Sequence, residues 1–154
     1  MAIKNRPEFE KFIRRVEKSS DEFRASSTEK RHSKQYRTAR ENLAHLVDED
    51  SFLEFGQFAV AAQRNRRDYE ELQDKTNADG IITGFCSINS RLVGSESSQA
   101  VAIVYDYSVL AGTQGAFHHL KLDRICDQAK KFELPIVIFT EGGGGRPGDT
   151  DVLV

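Results

Sequence analysis

Large apolar side chains are sparse over residues 5–37, and where they occur they keep one period. Phe9, Phe12, Ile13 and Val16 fall at helical spacing, which predicts a single amphipathic helix. The stretch RASSTEKRHSKQYR, Arg24 to Arg37, is polar and basic with no apolar stripe, and reads as a mobile connector. From Thr38 the pattern sharpens. Thr38 and Glu41 stand at the Thr-x-x-Glu spacing of a capping box, in which each side chain satisfies a free backbone N–H at a helix start. Leu43, Leu46 and Val47 make the apolar stripe of that helix, SFLEFG is a short strand, and residues 68–76 predict another short helix.

Beyond Ala78 the period changes. DGIITGFCSINSRLVG holds two β-rich runs, with Asn89 and Ser90 as a hairpin turn between them. QAVAIVYDYSVL is nearly all apolar, as a strand covered on both faces requires. Residues 114–132 form the strongest helix, with Phe117, Leu120, Ile125, Ala129 and Phe132 on or near one side. LPIVIFTE is a fourth buried strand. Helices, three strands, a helix, a strand and a glycine loop predict an α/β fold with a mixed sheet.

Composition narrows the function classes. The chain has 154 residues, a size typical of one domain, and a formal net charge of -2, which gives no general reason to expect nucleic acid or a membrane surface as partner. No apolar run approaches the length of a membrane span. The start, MAIKNRPEFEKFIRR, lacks the apolar core of a signal peptide, and its acids Glu8 and Glu10 argue against a transit peptide. Cys86 and Cys126 fit no metal or redox spacing and read as two reduced thiols of a cytoplasmic protein. The chain stops soon after its most unusual loop, which raises the expectation that it is the front part of a longer protein.

That loop is FTEGGGGRPGDTD. Gly142 to Gly145 follow the carboxyl end of a strand, where ligands of α/β folds bind. Bare backbone there can present successive N–H groups to a phosphate or to an oxyanion formed during reaction. A Walker loop is excluded: counting from Gly143, Asp149 stands where the lysine is required. A dinucleotide G-x-G-x-x-G fits poorly because of Pro147, and a flexible turn without a ligand stays open.

The second stretch is YDYSVLAGTQGAFHHLKLDR. Ala111, Gly112 and Thr113 turn from a buried strand into the long helix, and Gly115, His118 and Lys121 line one stripe near its N-terminus, which itself favours an anion. Adjacent His118 and His119 point apart and lack further ligands at metal spacing, so no metal is expected. Ser108 with His118 and Asp106 has no spacing that supports a triad. Cys126 reads as a small core residue. Lys121 and Arg124 fit a solvated face equally well. The basic stretch Lys30 to Arg40 contains no recognisable nucleic-acid module.

Taken together, KRHSKQYRTARENLAHLVDEDSFLEFG, DGIITGFCSINSRLV, DYSVLAGTQGAFHHLKLDR and PIVIFTEGGGGRPGDTD resemble, over residues 30–154, the carboxyltransferase component of biotin-dependent acyl-CoA carboxylases of the acetyl- and propionyl-CoA β type. The pattern is D-[FY]-[TS]-V, a small-residue turn, G-x-x-H-x-x-K, then an apolar strand and G-G-x-R. The resemblance implies a crotonase-like spiral of strand–strand–helix units, incomplete here. It divides the chain into a charged N-terminal helix and basic connector, 1–37, and an N-terminal carboxyltransferase domain, 38–154, truncated at its C-terminus. It implies carboxyl transfer from carboxybiotin, held on a partner, to the α-carbon of an acyl-CoA.

By that resemblance Gly143 and Gly144 form an oxyanion hole for the thioester and Arg146 is the motif arginine. Ala111, Gly112, Thr113 and Gly115 line the CoA pocket, with Lys121 and Arg124 facing CoA phosphates. Implied partners are biotin carboxyl carrier and biotin carboxylase components and further copies in a homo-oligomer. The chain departs from the pattern at Gly145, where many members have alanine, and at Glu141 and Gly142, where many have a serine and an acid ahead of the glycines. It lacks a second crotonase-like half, a biotin-carrying Met-Lys-Met segment and an ATP-grasp domain, so catalysis by these residues alone is not expected. Two other classes stay open: a crotonase-type hydratase or decarboxylase without biotin, and a non-catalytic CoA-binding or assembly module.

Overall fold

The computed structural model describes residues 6–152. The element order is α1 (Pro7–Glu17), α2 (Ala25–His32), α3 (Ala39–Leu46), β1 (Leu53–Phe55), α4 (Tyr69–Lys75), β2 (Ile81–Ser87), α5 (Ser90–Val93), β3 (Gln99–Tyr105), α6 (Ala116–Lys131) and β4 (Ile136–Phe139). The sheet runs β1-β2-β3-β4, antiparallel across the first two pairs and parallel between β3 and β4. The mixed sheet expected from the sequence is therefore present.

Alternation along β2 and β3 builds two cores. Ile82, Cys86, Ala100, Ala102 and Val104 face α3 through Ala39 and Leu43. Ile81, Val101, Ile103 and Tyr105 face α6 through Ile125 and Ala129. Strand β3 is thus covered on both sides, which explains its near-continuous apolar run. Each fully buried branched aliphatic here contributes roughly 1.5–3 kcal/mol. Helix α3 begins as its sequence dictates: the Thr38 hydroxyl accepts the Glu41 N–H at 3.0 Å and the Glu41 carboxylate accepts the Thr38 N–H at 2.8 Å.

Four local expectations need correction. Residues 25–32 are the helix α2, not a mobile connector; the helix is held by arginine ion pairs rather than by an apolar stripe. Asn89 and Ser90 do not turn directly into a strand. The Asp48 carboxylate accepts both their N–H groups, at 3.0 and 2.9 Å, and starts the short helix α5, leaving Leu92 exposed. Strand β4 is an edge strand whose Ile136 and Ile138 are open while Val137 and Phe139 are half-buried. On α6 the buried stripe is His118, Ile125 and Ala129, and Leu120 and Phe132 are exposed; polar His118 takes the place the apolar pattern assigned to its neighbours. Cys86 is buried, which pushes its thiol up to about 11, and Cys126 is half-buried against the α6 core. Among the described residues no helix is long and apolar enough to cross a membrane.

Candidate active site

The parallel pair β3–β4 delivers two loops side by side. The loop after β3 enters a left-handed run at Leu110, Ala111 and Gly112, with φ of 47°, 57° and 64°. A second such run, Ala78, Asp79 and Gly80, with φ of 53°, 51° and 74°, precedes β2. Left-handed backbone costs a non-glycine residue roughly 1–2 kcal/mol, and such strain collects at functional sites. The glycine loop after β4 zips onto the first run. Gly143 N–H donates to the Ala111 carbonyl at 3.0 Å, Gln114 N–H to the Gly144 carbonyl at 2.8 Å, and Arg146 N–H to the Gln114 carbonyl at 2.8 Å. Gly112 and Gly142 lie backbone to backbone, so a Cβ on either would collide with the other loop's carbonyl.

The glycines therefore divide into two kinds. Gly142 and Gly143 are consumed by packing and by the bond to Ala111. Gly144 has a φ of 89°, and a Cβ on Gly144 or Gly145 would meet nothing within 4 Å. Among the described residues the N–H groups of Gly144 and Gly145 donate to no protein group. The unspent donor pair is thus one residue further along than the Gly143–Gly144 pair expected, because the Gly143 N–H donates to the Ala111 carbonyl.

Arg146 is turned inward and its side chain is 4 % exposed. Its guanidinium pairs with the Asp79 carboxylate, donates from Nη2 to the Thr113 carbonyl at 2.6 Å and from Nε to the Thr113 hydroxyl at 3.2 Å, and lies 3.6 Å from Asp149. With three of its five N–H donors committed and its side chain buried, Arg146 ties the glycine loop to the 110–113 turn and to the Asp79 run. Burial raises the Asp79 carboxyl above its ordinary range, and Arg146 and the His118 N–H oppose that rise.

The α6 N-terminus does bind anions, and both belong to the chain. Asp149 accepts the Ala116 N–H at 2.8 Å and Asp79 Oδ2 accepts the His118 N–H at 2.8 Å. Gly115 is packed under Asp149 and Arg146. The His118 ring is fully buried, edge-on to Tyr105 at 4.5 Å, and its Nδ1–H donates to the Asp79 carbonyl at 3.3 Å. Its Nε2 has no partner, and burial pushes the imidazole down to about 4. Lys121 is spent as well. Its Nζ donates to the Ala78 carbonyl at 2.8 Å and to the Ile81 carbonyl, and burial lowers it to about 8.

Of the residues expected to line a CoA pocket, only Ala111 borders the cavity beside the glycine loop. That cavity, about 600 Å³, is lined by Lys30, Arg31, Lys34, Tyr36, Ala111 and Glu141 among others. Gly112, Thr113 and Gly115 are scaffold, and Lys121 and Arg124 border a separate cavity of about 360 Å³ under β1. Ser108 bonds to Asp106 and Arg24, and neither it nor Asp106 bonds to the His118 ring. Among the described residues no group of three or more His, Cys, Asp or Glu is placed to hold a metal ion.

Paired left-handed turns, a glycine loop beyond a parallel strand and two backbone N–H groups without a protein acceptor mark the candidate site of this α/β fold. Residues 30–151 match the carboxyl transferase domain model, and the chain belongs to that family. It is 33% identical over 118 residues to the methylmalonyl-CoA decarboxylase α subunit of Veillonella parvula, covering 77% of this chain and 21% of that protein. It is 33% identical over 119 residues to the propionyl-CoA carboxylase β chain of Cereibacter sphaeroides, again covering 77% and 21%. The chain thus spans about a fifth of the length of these relatives. A single-chain, multi-domain long-chain acyl-CoA carboxylase superposes with a TM-score of 0.91 at 47% identity, over 97% of this chain and 15% of that one. Transcarboxylase 12S, described as a hexamer, superposes with a TM-score of 0.65 at 28% identity, over 88% and 26%. The fold is crotonase-like, as the resemblance implied.

Proposed function

We propose that this chain forms the acyl-CoA side of a carboxyltransferase that moves a carboxyl group between carboxybiotin and the α-carbon of an acyl-CoA. The observation that carries the reading is the pair of unspent N–H groups on Gly144 and Gly145. Both residues are exposed, a Cβ on either would meet nothing within 4 Å, and their loop is bonded to Ala111 and leaves Glu141 at the wall of a basic cavity. Loss of the α-proton or α-carboxyl of a thioester puts negative charge on its carbonyl oxygen. Two fixed N–H groups stabilise that charge more than they stabilise the neutral carbonyl, which lowers the barrier. The donors are fixed because Gln114 and Ala111 hold the loop on both sides and Arg146 anchors its far end.

Lys30 and Lys34, one turn apart at the cavity wall, supply positive charge for the phosphates of CoA. Lys121 is withdrawn from that role because its ammonium is already bonded to two carbonyls. Arg124, exposed in the separate cavity, is withdrawn with it. Biotin on a carrier partner supplies or accepts the carboxyl group. The two donors are assigned to one thioester oxygen, and the same stabilised enolate serves either direction of transfer. The names of the relatives cover both directions, a carboxylase chain and a decarboxylase subunit. The carrier, the carboxylase component and assembly with further copies belong to this proposal.

The test is carboxyl transfer by the natural-length protein, with carboxylated biotin carrier and a series of acyl-CoA thioesters. Gly144→Val places a side chain where the thioester must approach and is expected to lower turnover by about two to three orders of magnitude. Turnover within threefold of wild type, with the fold retained, would remove the assignment.

A further inference from the structure

Helix α2 lacks an apolar stripe, yet it is docked. Arg24, at its N-cap, and Arg31, in its last turn, are two helical turns apart and so project from one face. Each meets a carboxylate at the carboxyl end of a different parallel strand. Arg24 Nη1 pairs with Asp106 Oδ2 at 2.6 Å just beyond β3, and its other nitrogen donates to Ser108. Arg31 makes a two-pronged pair with Glu141, Nη1 to Oε1 and Nη2 to Oε2 both at 2.6 Å, just beyond β4. The Arg31 guanidinium also donates to the Arg37 carbonyl at 3.1 and 2.8 Å and lies over the Tyr36 and Tyr107 rings, 5.2 and 5.7 Å from their centres. These contacts leave Arg31 12 % exposed. Forked arginine–carboxylate geometry with aromatic cover fixes position as well as energy.

Glu141 directly precedes Gly142 to Gly145, which have no side chains with which to hold themselves. We propose that Arg31 is a positioning residue. Through Glu141 it clasps the start of the glycine loop and sets the aim of the Gly144 and Gly145 N–H groups. This inference rests on the proposed function for its effect on rate, but the clasp itself can be read without turnover. The other end of the loop is fixed by Arg146, so losing the Arg31–Glu141 pair frees one end only. The loop then samples orientations in which its donors miss the developing charge. An error near 1 Å in such a site costs about 100-fold in rate. Lys30 stays on α2, which Arg24 still holds, and Lys34 lies in the turn just beyond it, so substrate capture changes little.

The experiment compares Arg31→Gln, Glu141→Gln and the charge-swapped pair Arg31→Glu/Glu141→Arg in the natural-length protein. Hydrogen exchange reads the amides of Gly143, Gln114 and Arg146, and acyl-CoA carboxyl transfer gives kcat and KM separately. Each single variant is expected to speed exchange at those amides at least tenfold while β2 and β3 amides keep their protection. Each is also expected to lower kcat about 10- to 100-fold with KM for acyl-CoA within threefold. The swapped pair regains most of both losses. Unchanged exchange in both single variants overturns the proposal, as does a swapped pair that regains neither. A rise in KM with unchanged kcat also overturns it, since that would make Arg31 a substrate contact. Should the wild-type protein transfer no carboxyl group, the functional reading falls, and the exchange result alone upholds or overturns the clasp.

Discussion

Replacing Arg146 with methionine keeps the bulk of the side chain and removes its charge. The Asp79 carboxylate, with no side-chain exposure, then loses its cationic partner, and the Thr113 carbonyl and hydroxyl lose a donor. Breaking a buried ion pair from one side costs about 3–5 kcal/mol, most of it the penalty of the charge left behind. For a chain of this size that corresponds to roughly 6–20 °C in melting temperature. Asp79→Asn in the same background removes the stranded charge while leaving an oxygen to accept the His118 N–H. The double variant is therefore expected to be more stable than Arg146→Met alone, with a coupling of about 1–3 kcal/mol. Urea denaturation of the 154-residue chain, followed by circular dichroism, measures each corner of the cycle. The Arg146→Met deficit should also shrink as pH falls, because burial already raises the Asp79 carboxyl, loss of Arg146 raises it further, and the orphaned group then takes up a proton. An Arg146→Met variant within about 1 kcal/mol of wild type, or two substitutions that add within about 0.5 kcal/mol, would refute the keystone role.

Further expectations concern acid and caps. His118 is held near 4 in the fold and near 6.5 when unfolded, so between those values only the unfolded chain binds the proton. Stability is therefore full above 6.5 and falls as pH drops toward 4, by about 3 kcal/mol at about 1.4 kcal/mol per pH unit. His118→Phe should flatten that part of the stability profile in denaturation at stepped pH, and an unaltered slope would argue against it. Thr38→Ala should cost about 1–2 kcal/mol by removing the capping box, measured the same way; no change would mean that the Glu41 carboxylate carries the helix start without it.

What the sequence disclosed follows the reach of each interaction. The α3 capping box is read directly because Thr38 and Glu41 are three residues apart. Strands β2 and β3 and helix α6 are read from the periodicity of their own side chains. The docking of α2 is invisible by the same logic, since Arg24 and Arg31 find their carboxylates 82 and 110 residues away. Asn89 was misread because its partner, Asp48, lies 41 residues back. At the site, the glycine loop and its position after a strand were legible. The inward turn of Arg146 was not, because Asp79 sits 67 residues upstream, at the head of a stretch that reads only as β-rich. Asp149 excluded a triphosphate loop on sequence grounds, and its own task, capping α6, emerges only when the loop is folded back.

The span between each arginine and its carboxylate also sets an order of events during synthesis. An isolated eight-residue helix without an apolar face is marginal in water. As the chain leaves the ribosome, α2 emerges early and has nothing to hold it until β3 and then β4 have been made and paired. Asp106 arrives first and Glu141 last, so the helix docks in two stages, N-terminal end before C-terminal end. The Arg31–Glu141 pair at the start of the glycine loop is then among the last contacts to be completed. A slow final step in refolding, seen as late protection of the glycine-loop amides, is the kinetic mark such an assembly order would leave.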